Sequence, residues 1–403
     1  MWENEVNINE IKEIRVKPNV YFGVNAINKI DDILKNLKSN GVKNLIVISG
    51  KNAYKSTGAW DVVEKALKEN NIGYVNYDKV TPNPTVDHID QACDLARSIN
   101  SDAVIGIGGG SPIDTAKSVA ILLENSQYNA RDLYTFKFTP SKAKPIVAIN
   151  LTHGTGTEAN RFAVATIPET NFKPAIAYDC IYPFASIDDP KLMSSLSPKQ
   201  TLYVSIDAVN HAFEAATSKV ASSYAISTAY ETINLVATYL PKIIKNPDDL
   251  QARYFLLYAS LLGGVSFDNG LLHLTHALEH PLSGINPNLT HGLGLAILLP
   301  AVVKQCYEAK PQTCSYILSP IAKLLKGEKS EALTAAKAVE KWLLNLGVDS
   351  KLKDVGFNEN DVDKLTELTF STPSLDALLQ IAPIDATKEK VAQIFKESFS
   401  YYN

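Results

Sequence analysis

The chain has 403 residues, 45% of them hydrophobic, with 39 basic and 43 acidic side chains giving a net charge of −4. At roughly 100–200 residues per domain, this length implies two domains with ample apolar content for packed cores. The charges are well mixed, so neither a nucleic-acid-binding stripe nor a polybasic membrane helix is indicated. In chain order, Val20–Phe22 is a short apolar piece before Gly23. Ile27, Ile30, Ile33, Leu34 and Leu37 then recur at helical spacing. Leu45–Ile48 (LIVI) has the all-apolar character of a parallel strand buried on both faces. Val62, Val63, Ala66 and Leu67 mark a further helix, and Tyr74–Tyr77, Ala103–Ile107 and Ile146–Ile149 further strands. Strands alternating with helices predict a doubly wound parallel α/β sheet. Pro183, Asp188, Asp189 and Pro190 read as turn signals that close this half.

Beyond about residue 190 the pattern changes. Ser197-Pro198 reads as a helix start, and the stretches SYAISTAYETINLVATYLPKIIK and SEALTAAKAVEKWLLNL have helical spacing. The expected organisation is an α/β domain over residues 1–190 and an all-α domain over 191–403. Cys93, Cys180, Cys306 and Cys314 show no C-x-x-C spacing and read as buried thiols of a reducing compartment. The N-terminus, MWENEVNINEIKEIRV, has no apolar core of a signal peptide, and no apolar run approaches the ~20 residues of a membrane span. A cytoplasmic protein is expected.

Two constellations carry chemistry. In DAVIGIGGGSPIDTAK, a buried strand runs into Gly108, Gly109 and Gly110, and Ser111-Pro112-Ile113-Asp114 has the look of a capped helix start, with Ser111 as N-cap and Asp114 three residues later. Glycines let the backbone approach a ligand, and a helix N-terminus attracts phosphate. Gly108, Gly109, Gly110, Ser111 and Asp114 are therefore candidate cofactor residues, although the pattern is neither G-x-G-x-x-G nor a P-loop. A second loop, LTHGTGTE, offers Thr152 and Thr155 among glycines. After the LIVIS strand, Gly50 and Lys51 stand where a carboxylate would hold an adenosine ribose, and a missing acid beside a cation favours NADP(H) over NAD(H).

The second constellation is histidine. His273, His276, His280 and His291 fall in one window, and His211 follows Asp207 by four residues. The pairs Asp207/His211 and His276/His280 each share a helical face. His273, His276 and His280, at i, i+3 and i+7, are expected on one side of a single helix. Imidazoles with a carboxylate and an open position suit a metal that activates an oxygen. Spacing alone does not choose four ligands among Asp207, His211, His273, His276, His280 and His291.

With GGGSPIDTAK (108–117), GTGTE (154–158), IDAVNHAFEA (206–215) and HALEHPLSG followed by THG (276–292), the chain resembles the iron-containing (group III) alcohol dehydrogenases over nearly its whole length. The resemblance implies a dehydroquinate synthase-like architecture, with the active site in a cleft between the two domains. It implies Asp207, His211, His276 and His291 as metal ligands, with Fe2+ as the metal and Zn2+ or another divalent ion as alternatives. It makes His280 a proton-relay residue near nicotinamide and substrate. Asn83, in TPNPT, Thr152, Thr155 and Lys173 become cofactor contacts, and Phe267, together with Phe162, a candidate wall of the substrate pocket. His273 matches no functional position. Leu151 departs from the family's threonine pair, the loop from His280 to His291 is one residue longer than in common members, and Gly50 replaces a frequent aspartate. The implied activity is hydride transfer between NADP(H) and a small primary alcohol or aldehyde, in a homodimer or larger homo-oligomer. A glycerol or polyol dehydrogenase of the same architecture, or a metal-binding protein without catalysis, are the rival readings. Absence of Lys and Arg from residues 267–292 argues against a phosphorylated substrate.

Overall fold

The computed structural model describes residues 1–6 and 10–402, in two compact units. One comprises Lys17–Ser197 and Pro247–Leu257; the other comprises Met1–Val16, Pro198–Asn246 and the chain from Tyr258 onward. This differs from a single cut after residue 190, because long-range hydrogen bonds tie two segments elsewhere. The Glu5 carboxylate accepts from the Gln312 and Thr313 backbone N–H groups (3.0 and 2.8 Å), which holds the N-terminal segment to the helical unit. Helix Leu250–Gly270 gives its first residues to the sheet unit, where Arg253 is buried.

The strands are β1 (Val20–Phe22), β2 (Asn44–Ser49), β3 (Gly73–Tyr77), β4 (Ala103–Gly108), β5 (Ile146–Asn150), β6 (Phe162–Val164), β7 (Ala175–Ala177) and β8 (Ala185–Asp188). Six form one parallel sheet in the order β1-β8-β5-β4-β2-β3, and β6 and β7 pair antiparallel beside it. Alternate residues of β2 serve opposite faces, as strand geometry requires. Ile46 and Ile48 pack with Val86, Ile89 and Val119 from helices Val86–Ser98 and Gly110–Glu124. Leu45 and Val47 pack with Ile30, Leu34 and Val63 from helices Ile30–Ser39 and Ala59–Glu69.

Residues 183–190 are not simply a turn. They contain β8, a buried interior strand between β1 and β5. Its polar residues are paired in part, with Asp188 Oδ2 left without a hydrogen bond among the described residues. Ser186 Oγ donates to the Glu158 carbonyl (2.6 Å), and Asn150 Nδ2 donates to Asp188 Oδ1 (3.1 Å).

The helical unit is built on Pro198–Thr217, Ser223–Lys245, the later part of Leu250–Gly270, Leu274–Ile285 and His291–Ala309. Two glycines set how closely these helices approach. A Cβ on Gly292 would stand 2.1 Å from the Tyr203 carbonyl, and one on Gly270 would stand 2.2 Å from that of Ala215. Both contacts are with helix Pro198–Thr217, which carries Asp207 and His211. Among the described residues, no single helix is long and apolar enough to cross a membrane.

Candidate active site

In the sheet unit, β4 ends at Gly108 and the following helix begins at Gly110, with Gly109 as N-cap and no side-chain cap. The expected Ser111/Asp114 capping box therefore does not form. The helix starts two residues earlier than sequence suggests, and Asp114 lies beyond its first turn. The Asp114 carboxylate instead accepts from Thr157 Oγ1 (2.7 Å) and from the Val164 N–H (3.0 Å), and burial raises its pKa to about 6. An uncapped N-terminus leaves backbone N–H groups of the first turn available to an anion. The glycine turn also needs its bare Cα atoms. A Cβ on Gly109 would stand 2.9 Å from Thr152 Cγ2, and one on Gly110 would stand 2.7 Å from Thr155 Cγ2. The two loops singled out in the sequence are thus packed against each other.

The threonine loop is braced from behind. Lys117, fully buried, donates from Nζ to the carbonyls of Thr157 (2.7 Å), Asn160 (2.9 Å) and Phe162 (2.8 Å). His153, also buried, faces the Arg253 guanidinium (3.1 Å). Thr152 takes its place through its N–H, which donates to Asn150 Oδ1 (3.1 Å). Lys173 is buried near Asp114, whose negative charge it favours. Asn83 sits in the turn after β3 with φ +53°, immediately before Pro84 and the Thr85 cap of the next helix. Phe162 opens β6, its ring 5.8 Å from the Arg161 guanidinium. Gly50 and the exposed Lys51 follow the end of β2.

In the helical unit the imidazoles converge on one oxygen. The Nε2 atoms of His211, His276 and His291 lie 3.4, 3.5 and 3.9 Å from Asp207 Oδ1. Asp207 and His211 come from helix Pro198–Thr217, His276 from helix Leu274–Ile285, and His291 opens helix His291–Ala309. The contact of Gly292 with Tyr203, one turn before Asp207, brings that last helix start to the others.

The ligand atoms of Asp207, His276 and His291 all lie within 4.8 Å of one another, an arrangement able to hold a metal ion. His211 does not join that trio; its ring stacks on His276, with centroids 4.7 Å apart. Phe267 packs beside His211, its ring 4.8 Å from the imidazole and tilted to it. His280 is buried one turn after His276, its ring 6.4 Å from His276 and 6.0 Å from His291.

The residues fit a divalent cation. Beyond their 3.5 Å approach to each other, the buried Asp207 Oδ1 and His276 Nε2 make no hydrogen bond among the described residues. Buried polar atoms are rarely left so, and one carboxylate with imidazole nitrogens is a donor set for Fe2+ or Zn2+. Burial opposes charge on His276, but the Glu214 and Asp207 carboxylates outweigh it and raise its pKa to about 9. Burial lowers that of His211 to about 4.

His273 does not share the helical face expected of it. It is the N-cap of helix Leu274–Ile285, with its Nδ1 accepting from the Leu274 N–H (2.7 Å) and its Nε2 paired with Thr217 Oγ1 (2.9 Å). Burial keeps it neutral, lowering its pKa to about 4. Sequence reasoning also missed two carboxylates. Glu214 Oε2 pairs with His276 Nδ1, and Glu279 Oε2 pairs with His291 Nδ1; both glutamates are fully buried. A signal was present in HAFE (211–214) and HALE (276–279), where an acid follows a histidine by three residues on a helix.

Residues 17–190 match the family described as iron-containing alcohol dehydrogenase, and residues 201–399 match the Fe-containing alcohol dehydrogenase family, C-terminal. The chain is 57% identical to the long-chain primary alcohol dehydrogenase AdhA of Thermoanaerobacter ethanolicus, over 99% of this chain and all of that one. It is 30% identical to the NADPH-dependent butanol dehydrogenase of Clostridium saccharobutylicum, over 94% of this chain and 95% of that one. The solved structure of NADH-dependent butanol dehydrogenase A from Thermotoga maritima superposes with a TM-score of 0.88 at 28% identity, covering 97% of this chain and 99% of the other. With its paired glycine and threonine loops and its Asp207-centred imidazole cluster, the chain belongs to the iron-containing alcohol dehydrogenase family, whose members interconvert alcohols and aldehydes with a divalent metal and a nicotinamide cofactor.

Proposed function

We propose that this enzyme is an NADP(H)-dependent dehydrogenase of primary alcohols, working reversibly on the corresponding aldehydes, with Fe2+ held by Asp207, His211, His276 and His291. The convergence of the Asp207, His276 and His291 ligand atoms within 4.8 Å carries the ligand reading. A cation bound there supplies Lewis acidity toward the substrate oxygen. Asp207 offsets part of the cation's charge. His280, buried beside the cluster, exchanges the hydroxyl proton, a task suited to imidazole. Phe267 shapes the apolar side of the substrate site, and Phe162 is assigned to it as well.

The nucleotide belongs to the sheet unit in this reading. The backbone of Gly108–Ser111 and the uncapped helix start take the pyrophosphate. Thr152, Thr155, Lys173 and Asn83 contact the nicotinamide half, and Asp114 supports them by bracing the 157–164 stretch. Absence of a carboxylate after β2, with Lys51 exposed at that point, supports a 2′-phosphate and hence NADP(H). The 57% identical relative is named for long-chain primary alcohols, which supports that substrate class. The domain roles that follow are the dinucleotide for the sheet unit and the metal for the helical unit, in a cytoplasmic homodimer or larger homo-oligomer.

The test is metal content and turnover of His276→Ala beside wild type, purified without oxygen and assayed from ethanol to decanol with NADP+ and NAD+. Loss of both metal and activity is expected. A variant that keeps both removes His276 from the ligand set.

A further inference from the structure

The ring nitrogens of His276 and His291 are used in the same way. Each Nε2 faces Asp207 Oδ1, at 3.5 and 3.9 Å. Each Nδ1 faces the carboxylate of a fully buried glutamate, Glu214 for His276 and Glu279 for His291. The pattern steps along the chain: HAFE supplies the acid for the histidine of HALE, and HALE supplies the acid for His291.

Both glutamates are held in place by other groups. Glu214 Oε1 accepts from the backbone N–H groups of His273 (3.1 Å), Thr275 (2.7 Å) and His276 (3.3 Å). Glu214 Oε1, facing three N–H donors, is an acceptor, and with the carboxyl ionised Oε2 accepts a hydrogen bond from His276 Nδ1–H. Glu279 Oε1 accepts from Ser283 Oγ, and its chain lies against Gly294, where a Cβ would stand 2.9 Å from Glu279 Cγ. His211 has no such partner: its buried Nδ1 makes no hydrogen bond among the described residues.

We propose that Glu214 and Glu279 are positioning residues that fix His276 and His291 as Nδ1–H tautomers and aim their Nε2 lone pairs at the cation, leaving His211 as the less constrained ligand. This rests on the ligand reading given above. An imidazole that must choose its tautomer and rotation on binding loses affinity, and such outer carboxylates are worth about 10–100-fold in metal binding.

Glu214→Gln is the sharp variant. Its amide oxygen must stay with the three N–H donors, which turns the NH2 group toward His276 Nδ1. That ring nitrogen becomes an acceptor, and the proton moves to Nε2, the atom that should bind metal. The experiment pairs 15N NMR of histidine-labelled apoprotein, recorded near pH 10 so that the rings are neutral, with Co2+ affinity measured by chelator competition. Wild type is expected to show His276 and His291 as Nδ1–H, assigned by His276→Ala and His291→Ala. Glu214→Gln is expected to show His276 as Nε2–H and to bind Co2+ about 10–100-fold more weakly. Glu279→Gln is expected to weaken Co2+ binding similarly, and it serves if Glu214→Gln does not fold.

Nε2–H signals for both rings in wild type overturn the proposal, as does unchanged Co2+ affinity in both glutamine variants. Failure of the ligand reading looks different: His276→Ala would then bind Co2+ as tightly as wild type, whatever the tautomers.

Discussion

His153 accepts a hydrogen bond at Nε2 from the Arg253 guanidinium, 3.1 Å away, with both side chains buried in the sheet unit. Arginine has no acceptor, so this histidine is neutral with its proton on Nδ1. Burial, with the arginine charge beside it, lowers its pKa to about 3. The folded value is below the unfolded one of about 6.5, so the stability it contributes is complete above that value and is lost as pH falls toward 3. The expected loss is about 2 kcal/mol between pH 7 and pH 5. Thermal unfolding of wild type and His153→Gln over that range should show a flatter pH dependence in the variant; parallel curves would be the contrary result.

Lys117→Met should loosen the cofactor side. It removes the ammonium that binds the Thr157, Asn160 and Phe162 carbonyls and leaves those buried acceptors unmatched. A loss of about 2–4 kcal/mol is expected, with a rise in KM for the nucleotide larger than the fall in kcat. Calorimetry and cofactor titrations check the two parts.

Gly292→Ala acts on the other half. Its Cβ would sit 2.1 Å from the Tyr203 carbonyl, so helix His291–Ala309 must shift away from Asp207. About 1–3 kcal/mol of stability should be lost, together with metal retention on dialysis. Wild-type metal content in the purified variant would contradict the packing argument.

Gly50→Asp reads out the nucleotide preference. A Cβ there meets only the Val80 carbonyl, at 3.3 Å, so the residue is admissible with a small adjustment. A carboxylate would repel a 2′-phosphate and accept from a 2′-hydroxyl. The ratio of kcat/KM for NADP+ over NAD+ should fall by about 10–100-fold, corresponding to about 1.4–3 kcal/mol.

The buried strands were legible because their composition allows few alternatives: LIVI and AVIGI have no polar residue to place in water. β8 was not, because ASID lies between Pro183 and Pro190 and carries two polar residues of its own. Only hydrogen bonds to Glu158 and Asn150, distant in sequence, make its burial possible. In the site, Asp207 and the histidines stood out by residue type and spacing. Glu214 and Glu279 did not, since glutamate on an amphipathic helix ordinarily faces solvent. His273 was misplaced for a related reason: helical periodicity says nothing about where a helix begins, and its ring caps the N–H of Leu274.

Arg253 reaches the sheet unit from sequence more than fifty residues past the last strand. A fragment ended near residue 190 would contain every strand and both nucleotide loops, yet it would expose His153 and forfeit its buried cation. Dissecting the enzyme into autonomous halves at that point should therefore yield a sheet fragment that folds poorly, and grafting such a fragment onto a foreign partner would require carrying residues 247–257 along with it.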